Sequence, residues 1–358
     1  MSEKPLVLGV TGATGAIGDT LVRHLATKPH IRVLALVRRQ PRFAGPTIQT
    51  VFGDLFDQGA LEKLIAESDV VLHLAARNPQ MEPQDRKEQI SFFATNSVGA
   101  ANIAWLAQKH QKPVVFTSSV SVYELSGHTR GVFREEERLP SRLATRQWTE
   151  GAEAFFAQIT TEWMAGRIRD PAQEISRFLE NFPPPENEST YALSKFLGEP
   201  WIARMREGIV LRLSDVYGPG HESRGIIPSC LAALLRNEKV TIDFGPRELV
   251  SFIYMGDVLR ALLAAATAYL LAVPPIINIA SPASVPETVL ADHLKQISAE
   301  GGFSSPISVK RRVTAENSRS FATDKMKHYL GLQEPVSLLE GLRKTLCYLQ
   351  LSPEQRQR

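Results

Sequence analysis

The segment Thr11-Gly-Ala-Thr-Gly-Ala-Ile-Gly18 limits the fold more than any other part of this chain. It follows a short apolar run, Leu6–Val10, and opens a helical stretch, so it reads as strand, turn and helix. Gly12 permits a tight turn, Gly15 lets backbone amides approach a pyrophosphate, and Gly18 allows close helix–strand packing. A diphosphate there meets unpaired amides and the positive end of the helix dipole. The turn therefore predicts a dinucleotide-binding α/β fold.

The rest of the first half agrees. Apolar runs at Leu6–Val10, Ile31–Val37, Ile48–Val51, Val70–Leu74, Val114–Phe116 and Ile209–Leu213 alternate with helix-length intervals. Runs apolar on both faces are expected of buried parallel strands. The predicted fold class is α/β, a Rossmann-type doubly wound parallel sheet with a smaller C-terminal substrate lobe and a helical insertion. The dinucleotide-binding domain is expected over 1–126, 187–218 and 251–273, the insertion over 127–186, and the substrate lobe over 219–250 and 274–358. In the insertion, Trp148, Phe155, Phe156, Ile159 and Trp163 share one helical face, and Ile175, Phe178, Leu179 and Phe182 share another. Pro183-Pro184-Pro185 ends this two-helix segment, read as a stripe packed on the parent domain, with a substrate lid or subunit contact as the alternative. Further helices are expected near Pro228–Arg236, Pro286–Ile297 and Val336–Leu349.

Composition narrows the function. Hydrophobic residues make up 43% of the 358 and charged residues 22%, as in ordinary globular proteins. The net charge of +3 gives no warrant for nucleic-acid binding. Two cysteines, Cys230 and Cys347, are too few for a disulfide framework. No metal site is expected, because the histidines lack paired ligand spacing. Ala261–Val273 is apolar but too short to span a bilayer, which needs about 20 residues. With no secretory pattern at Met1, the expectation is a cytoplasmic protein with a small-molecule substrate and no membrane partner.

Two further features carry chemistry. Between Asp19 and Asp54 there is no Asp or Glu, although a ribose 2′-hydroxyl is usually held by an acid about 20 residues beyond the glycines. Arg38 and Arg39 stand there instead, with Arg42 near, and guanidinium groups suit a 2′-phosphate. NADP(H) is therefore favoured over NAD(H). Tyr191 and Lys195 are spaced i, i+4, which on a helix puts both on one face. An ammonium beside a phenol stabilises the phenolate, so such a Tyr can exchange a proton with an alcohol at neutral pH.

Together with Asp54-Leu55, His73-Leu-Ala-Ala76, Asn96, Thr117-Ser-Ser119, Arg212-Leu-Ser-Asp-Val-Tyr-Gly-Pro219, Phe252-Ile-Tyr-Met-Gly-Asp257 and Asn278-Ile-Ala280, these motifs come in a telling order. The chain resembles the extended short-chain dehydrogenase/reductases, the NAD-dependent epimerase/dehydratase family, over nearly its whole length outside the insertion. The resemblance implies Tyr191 as general acid/base, Lys195 as the residue that lowers its pKa and bonds the nicotinamide ribose, and Ser119 as the partner of the substrate oxygen. It implies Asn96 as a residue tied to active-site geometry. It also implies Gly12, Thr14, Gly15, Ala16, Ile17, Gly18, Arg38, Arg39, Asp54, Leu55, Leu74, Ala75, Ala76, Thr117, Tyr191 and Lys195 around the cofactor. A homodimer through the helices carrying Asn96 and Tyr191 is implied as well.

Two of the places where the resemblance breaks bear on a substrate diphosphate. Members acting on nucleotide sugars usually carry Asn where this chain has Asp215, and Arg where it has Val250. A carboxylate repels a diphosphate, and a missing Arg removes a bidentate clamp, though Arg247 or Arg224 offers a substitute. Three readings stand. The first is an NADP(H)-dependent reductase or dehydrogenase acting on a small non-nucleotide carbonyl or alcohol. The second is a nucleotide-sugar epimerase or dehydratase whose cofactor is transiently reduced, and the third is a non-catalytic NADP-binding sensor.

Overall fold

The computed structural model describes residues 4–78, 85–221, 225–244, 247–268, 273–310 and 317–351. The chain forms two compact units, one of 1–128, 136–212 and 262–277, the other of 129–135, 213–261 and 278–358. The first opens β1 (Leu6–Thr11), α1 (Ala16–Leu25), β2 (Ile31–Val37), β3 (Ile48–Phe52), α2 (Gln58–Glu67) and β4 (Val70–His73). Next come α3 (Arg86–Phe92), a π-helical turn (Phe93–Val98) and α4 (Gly99–Lys109), which follow one another without a break. β5 (Val114–Ser119) leads into a 3-10 turn (Val120–Ser126), and β6 (Arg130–Phe133) belongs to the second unit. The insertion supplies α5 (Leu143–Met164) and α6 (Pro171–Asn181), followed by α7 (Thr190–Ala203) and β7 (Gly208–Leu213).

The second unit contributes β8 (Asp215–Tyr217), α8 (Ile226–Leu235), β9 (Val240–Ile242), β10 (Arg247–Leu249) and β11 (Phe252–Tyr254). Then follow α9 (Met255–Ala268), β12 (Ile276–Ile279), α10 (Glu287–Gly301), β13 (Ile307–Val309), β14 (Asn317–Phe321), α11 (Asp324–Leu330) and α12 (Leu338–Gln350). A seven-stranded sheet runs β12-β7-β5-β4-β1-β2-β3, with β1, β2, β3, β4 and β5 paired in parallel. Leu8 sits between Val33 and Val70 in register, the apolar-on-both-faces pattern the sequence displays. The strand order reverses direction of travel at β1 and β4, the switch point where such sheets take ligands.

Every expected strand lies in this sheet. Its edge strand β12 falls in a segment the sequence assigned to the lobe, because its four residues carry too little pattern to separate from their surroundings. The small sheets β10-β14-β6, β11-β8 and β13-β9 escape sequence reading for the same reason. α9 buries Ala261, Leu262, Ala265 and Ala266, while residues 269–272 of the apolar run lie outside the described residues. No helix among the described residues is long and apolar enough to cross a membrane.

The insertion is helical where its apolar spacing predicts. Phe156, Ile159, Ile175 and Leu179 are buried with Phe93, Val98, Leu193 and Leu197 in one core cluster. Full burial of a side chain such as Phe156 or Ile159 contributes about 2 kcal/mol. Phe155 stacks on Phe178 with centroids 4.6 Å apart, and the Trp148 indole donates to the Phe182 carbonyl at 3.0 Å. α5 packs against α4, the π-turn and α7, so the helices carrying Asn96 and Tyr191 meet it within the same chain.

Candidate active site

The cradle after β1 is set by backbone geometry. Gly12 has φ +69°, and a Cβ there would come within 2.5 Å of the Ala75 amide nitrogen, so any other residue is both strained and obstructed. At Gly18 a Cβ would meet the Gly12 carbonyl oxygen at 2.2 Å. Gly15 is the N-cap of α1 and supplies no side chain, which leaves the amides of Ala16, Ile17 and Gly18 without an intrahelical acceptor. Thr14 is exposed beside them. A diphosphate fits this turn by charge and by shape.

The loop after β4 is bound to it. Leu74 donates its amide to the Thr11 carbonyl at 3.2 Å, and Ala75 donates to Thr11 Oγ1 at 3.3 Å. Thr11 Oγ1 lies 2.7 Å from His73 Nδ1. His73 is fully buried, stacks on Phe116, and its Nε2 has no hydrogen-bond partner among the described residues. Burial, with the Lys195 charge adding to it, lowers its pKa to about 3, so the ring stays neutral. Ala75 is half-buried and Ala76 exposed.

Asn96, fully buried in the π-turn, holds that loop from the other side. Its Oδ1 accepts from the Arg77 amide at 2.8 Å, and its Nδ2 donates to the Arg77 carbonyl at 3.0 Å and to Ser194 Oγ at 2.9 Å. Ser194 in turn donates to the Tyr191 carbonyl at 2.9 Å. Asn96 thus joins the loop after β4 to the first turn of α7, a use of a π-turn common at functional sites. The sequence marks Arg77 only as part of a segment, Arg77-Asn-Pro79, expected to bear on substrate choice, and does not mark Ser194, since these contacts have no local spacing to signal them.

α7 begins at a Ser189 cap, whose hydroxyl accepts from the Ala192 amide at 3.2 Å. Tyr191 is half-buried one residue into the helix, edge-on to Phe92 at 6.3 Å. Lys195, one turn further, is 2% exposed, donates from Nζ to the Thr117 carbonyl at 2.8 Å and lies 4.9 Å from the Phe116 ring centroid. Burial lowers its pKa to about 7, with the Glu199 carboxylate opposing the shift. Ser119, at the end of β5, accepts from the Ser121 amide at 3.1 Å and donates to Ser121 Oγ at 3.2 Å. Behind this set lies a buried network whose centre, Glu199, the sequence did not single out. Glu199 accepts from Ser118 Oγ at 2.6 Å and from Arg212 Nε and Nη2 at 2.9 and 2.7 Å, and Arg212 stands 4.8 Å from the Tyr123 ring centroid.

The expected adenosine end is more open. Arg38 and Arg39 are exposed beyond β2. After β3, Asp54 Oδ1 accepts from the Phe56 amide at 2.8 Å, and buried Leu55 gives its carbonyl to Asn102 Nδ2 at 3.0 Å.

Motif pieces in the second unit serve packing. Asn278 donates its amide to Glu135 at 2.9 Å and its Nδ2 to the carbonyls of Ala322 at 3.2 Å and Phe133 at 3.5 Å. Fully buried Asp257 accepts from Arg260 and from the Val336 amide. Val250 is 2% exposed and exchanges backbone hydrogen bonds with Val285, so its position points into a core. Arg224 lies outside the described residues. Among the described residues no group of His, Cys, Asp and Glu is placed to hold a metal ion.

Comparison with known proteins bears on the family and the fold. The family model for the NAD dependent epimerase/dehydratase family matches residues 8–148 and 149–280. A UDP-N-acetyl-alpha-D-glucosaminuronate decarboxylase of Bacillus cytotoxicus is 22% identical over 72% of this chain and 70% of its own length. A uronate dehydrogenase of Pseudomonas putida is 26% identical over 38% of this chain. The chain spans about half the length of curated relatives it matches, 53% of one from Methanocaldococcus jannaschii and 47% of the uronate dehydrogenase. The UDP-glucose 4-epimerase of Thermotoga maritima, solved with UDP-glucose, superposes with TM-score 0.68 at 21% identity, covering 96% of this chain and 98% of its own. The Bacillus cereus UDP-glucuronic acid 4-epimerase, solved with NAD, gives TM-score 0.67 at 20% identity over 96% and 98%. These likenesses show the fold.

Proposed function

The chain belongs to the NAD dependent epimerase/dehydratase family, and from that premise we propose that it moves a hydride between nicotinamide and a carbinol carbon of its substrate, with Tyr191 carrying the proton. One observation carries the reading. Lys195 is buried and held at the Thr117 carbonyl one helical turn from Tyr191, where its ammonium lowers the cost of a phenolate. The bound dinucleotide supplies the hydride acceptor and donor. The amides of Ala16, Ile17 and Gly18 hold its diphosphate, and Asn96 fixes the loop of Leu74, Ala75 and Ala76 beside it. Tyr191 Oη takes the proton of the substrate alcohol during oxidation and returns it during reduction. Ser119 Oγ exchanges its bond to Ser121 for one to the substrate oxygen.

For the substrate, the neighbours support a nucleotide sugar and epimerase-type chemistry ahead of the small carbonyl compound that the sequence put first. The small-carbonyl reading keeps two specific supports, the core position of Val250 and the carboxylate of Asp215, at places where nucleotide-sugar members usually hold the diphosphate. For the cofactor, exposed Arg38 and Arg39 and the absence of any acid between Asp19 and Asp54 support NADP(H), whereas the Bacillus cereus neighbour was solved with NAD. The test is turnover of UDP-hexoses and of small aldehydes and ketones, each with NAD(H) and NADP(H), by wild type and Tyr191→Phe. The variant is expected to lose about 10³-fold in kcat and keep its dinucleotide affinity. Undiminished turnover would remove Tyr191 from the mechanism. Conversion of a UDP-hexose without net cofactor consumption fits the epimerase reading; net NADPH oxidation by a carbonyl compound alone fits the reductase reading.

A further inference from the structure

Beside the ends of β2 and β3 lies an open cleft of about 790 Å3, lined on one side by Arg38, Asp54 and Asp57 and on the other by Trp163, Ile168 and Arg169 of the insertion. The insertion is fastened there. Trp163 is 5% exposed, stands edge-on to Phe56 at 6.0 Å, and its carbonyl accepts from the Gln58 side chain. Past it, Gly166 at φ +70° turns the chain so that Ile168 and Arg169 line the cleft.

The charges of this cleft are unevenly partnered. Asp54 accepts from the Phe56 amide, and Asp57 caps α2 by accepting from the Ala60 amide at 3.0 Å. Arg167, two residues before Arg169, is paired with Glu162. Arg38 and Arg169 have no hydrogen-bond or ion-pair partner among the described residues, although they come from segments far apart in the chain and line the same cleft. Arg38 and Arg169 share the cleft with the carboxylates of Asp54 and Asp57 but are not bound to them, which leaves both guanidinium groups free to take an anion with several oxygens to share.

We propose that Arg169 completes, with Arg38, an anion subsite for the phosphate on the adenosine ribose of an NADP-type dinucleotide, so that the insertion takes part in cofactor choice. This rests on the NADP(H) reading above. The test is calorimetric binding of 2′,5′-ADP and of 5′-AMP to the full chain, as wild type, Arg38→Gln and Arg169→Gln. Wild type is expected to bind 2′,5′-ADP at least about tenfold more tightly than 5′-AMP, and each variant to lose about five- to tenfold for 2′,5′-ADP alone. Unchanged 5′-AMP affinity shows that the exposed substitution leaves the cradle folded. If Arg38→Gln weakens 2′,5′-ADP and Arg169→Gln does not, the role of Arg169 is overturned and the NADP(H) reading stands. Equal loss for both nucleotides in Arg169→Gln also overturns it. No preference of wild type for 2′,5′-ADP overturns both.

Discussion

Both units keep family motifs but use them differently. In the first, the matched residues converge: Thr11, His73 and Ala75 fasten two loops, Asn96 joins the second loop to α7, and Lys195 reaches β5. In the second, Asn278, Asp257 and the backbone at Val250 are all engaged in holding the unit's own strands and loops. A retained motif is therefore no guide to chemistry until its polar atoms are traced to their partners.

The contrast can be broken most forcefully at Glu199. Glu199→Gln leaves the Arg212 guanidinium buried without its counter-charge, and an unfolding free energy lower by about 3–5 kcal/mol is expected in a urea titration. A loss below about 1 kcal/mol would mean that the network behind the first unit's site is as dispensable as a surface ion pair.

A smaller effect concerns His73. Its folded pKa lies near 3 against an ordinary value of 6.5, so the unfolded chain binds a proton that the native chain refuses. Its contribution to stability is complete above the ordinary value and falls as pH drops from there toward 3. Between pH 7 and 5 wild type should lose about 2 kcal/mol more than His73→Phe, read from unfolding curves at both pH values. Parallel losses would show that the ring is not held neutral by burial.

The smallest effect sharpens the comparison from the other unit. Asn278→Ala removes two hydrogen bonds to carbonyls and should cost about 1 kcal/mol in thermal unfolding while dinucleotide affinity stays unchanged. A fall in that affinity would give the second unit's motif a part in cofactor binding that its contacts do not suggest.

What the sequence could display depended on how local the constraint is. Gly12 and Gly18 were legible because a Cβ at either collides with backbone, so residue identity itself reports the turn. Tyr191 and Lys195 were legible because one helical turn separates them. The stripes of α5 and α6 were legible because apolar periodicity survives without any partner being known. The bonds of Asn96 to Arg77 and Ser194, and of Glu199 to Ser118, join residues 19, 98 and 81 positions apart, and no window along the chain contains them. Arg169 lacked any sequence signal for the same reason: its relation to Arg38 exists only once Trp163 is seated on Phe56.

The π-turn at Phe93–Val98 has a consequence for the rotation of everything around it. A π-turn takes more residues per revolution than an α-turn, so α3 and α4 run on as one rod whose angular count is reset partway along. Buried Phe93, where the turn begins, belongs to one core cluster, and buried Ala100, Ile103 and Ala107, which follow the turn, belong to another. If the same residues were wound as an unbroken α-helix, one half of the rod would turn by about 100° against the other. Asn96 would leave either Arg77 or Ser194, and the surplus residue works as a dial that keeps both in reach.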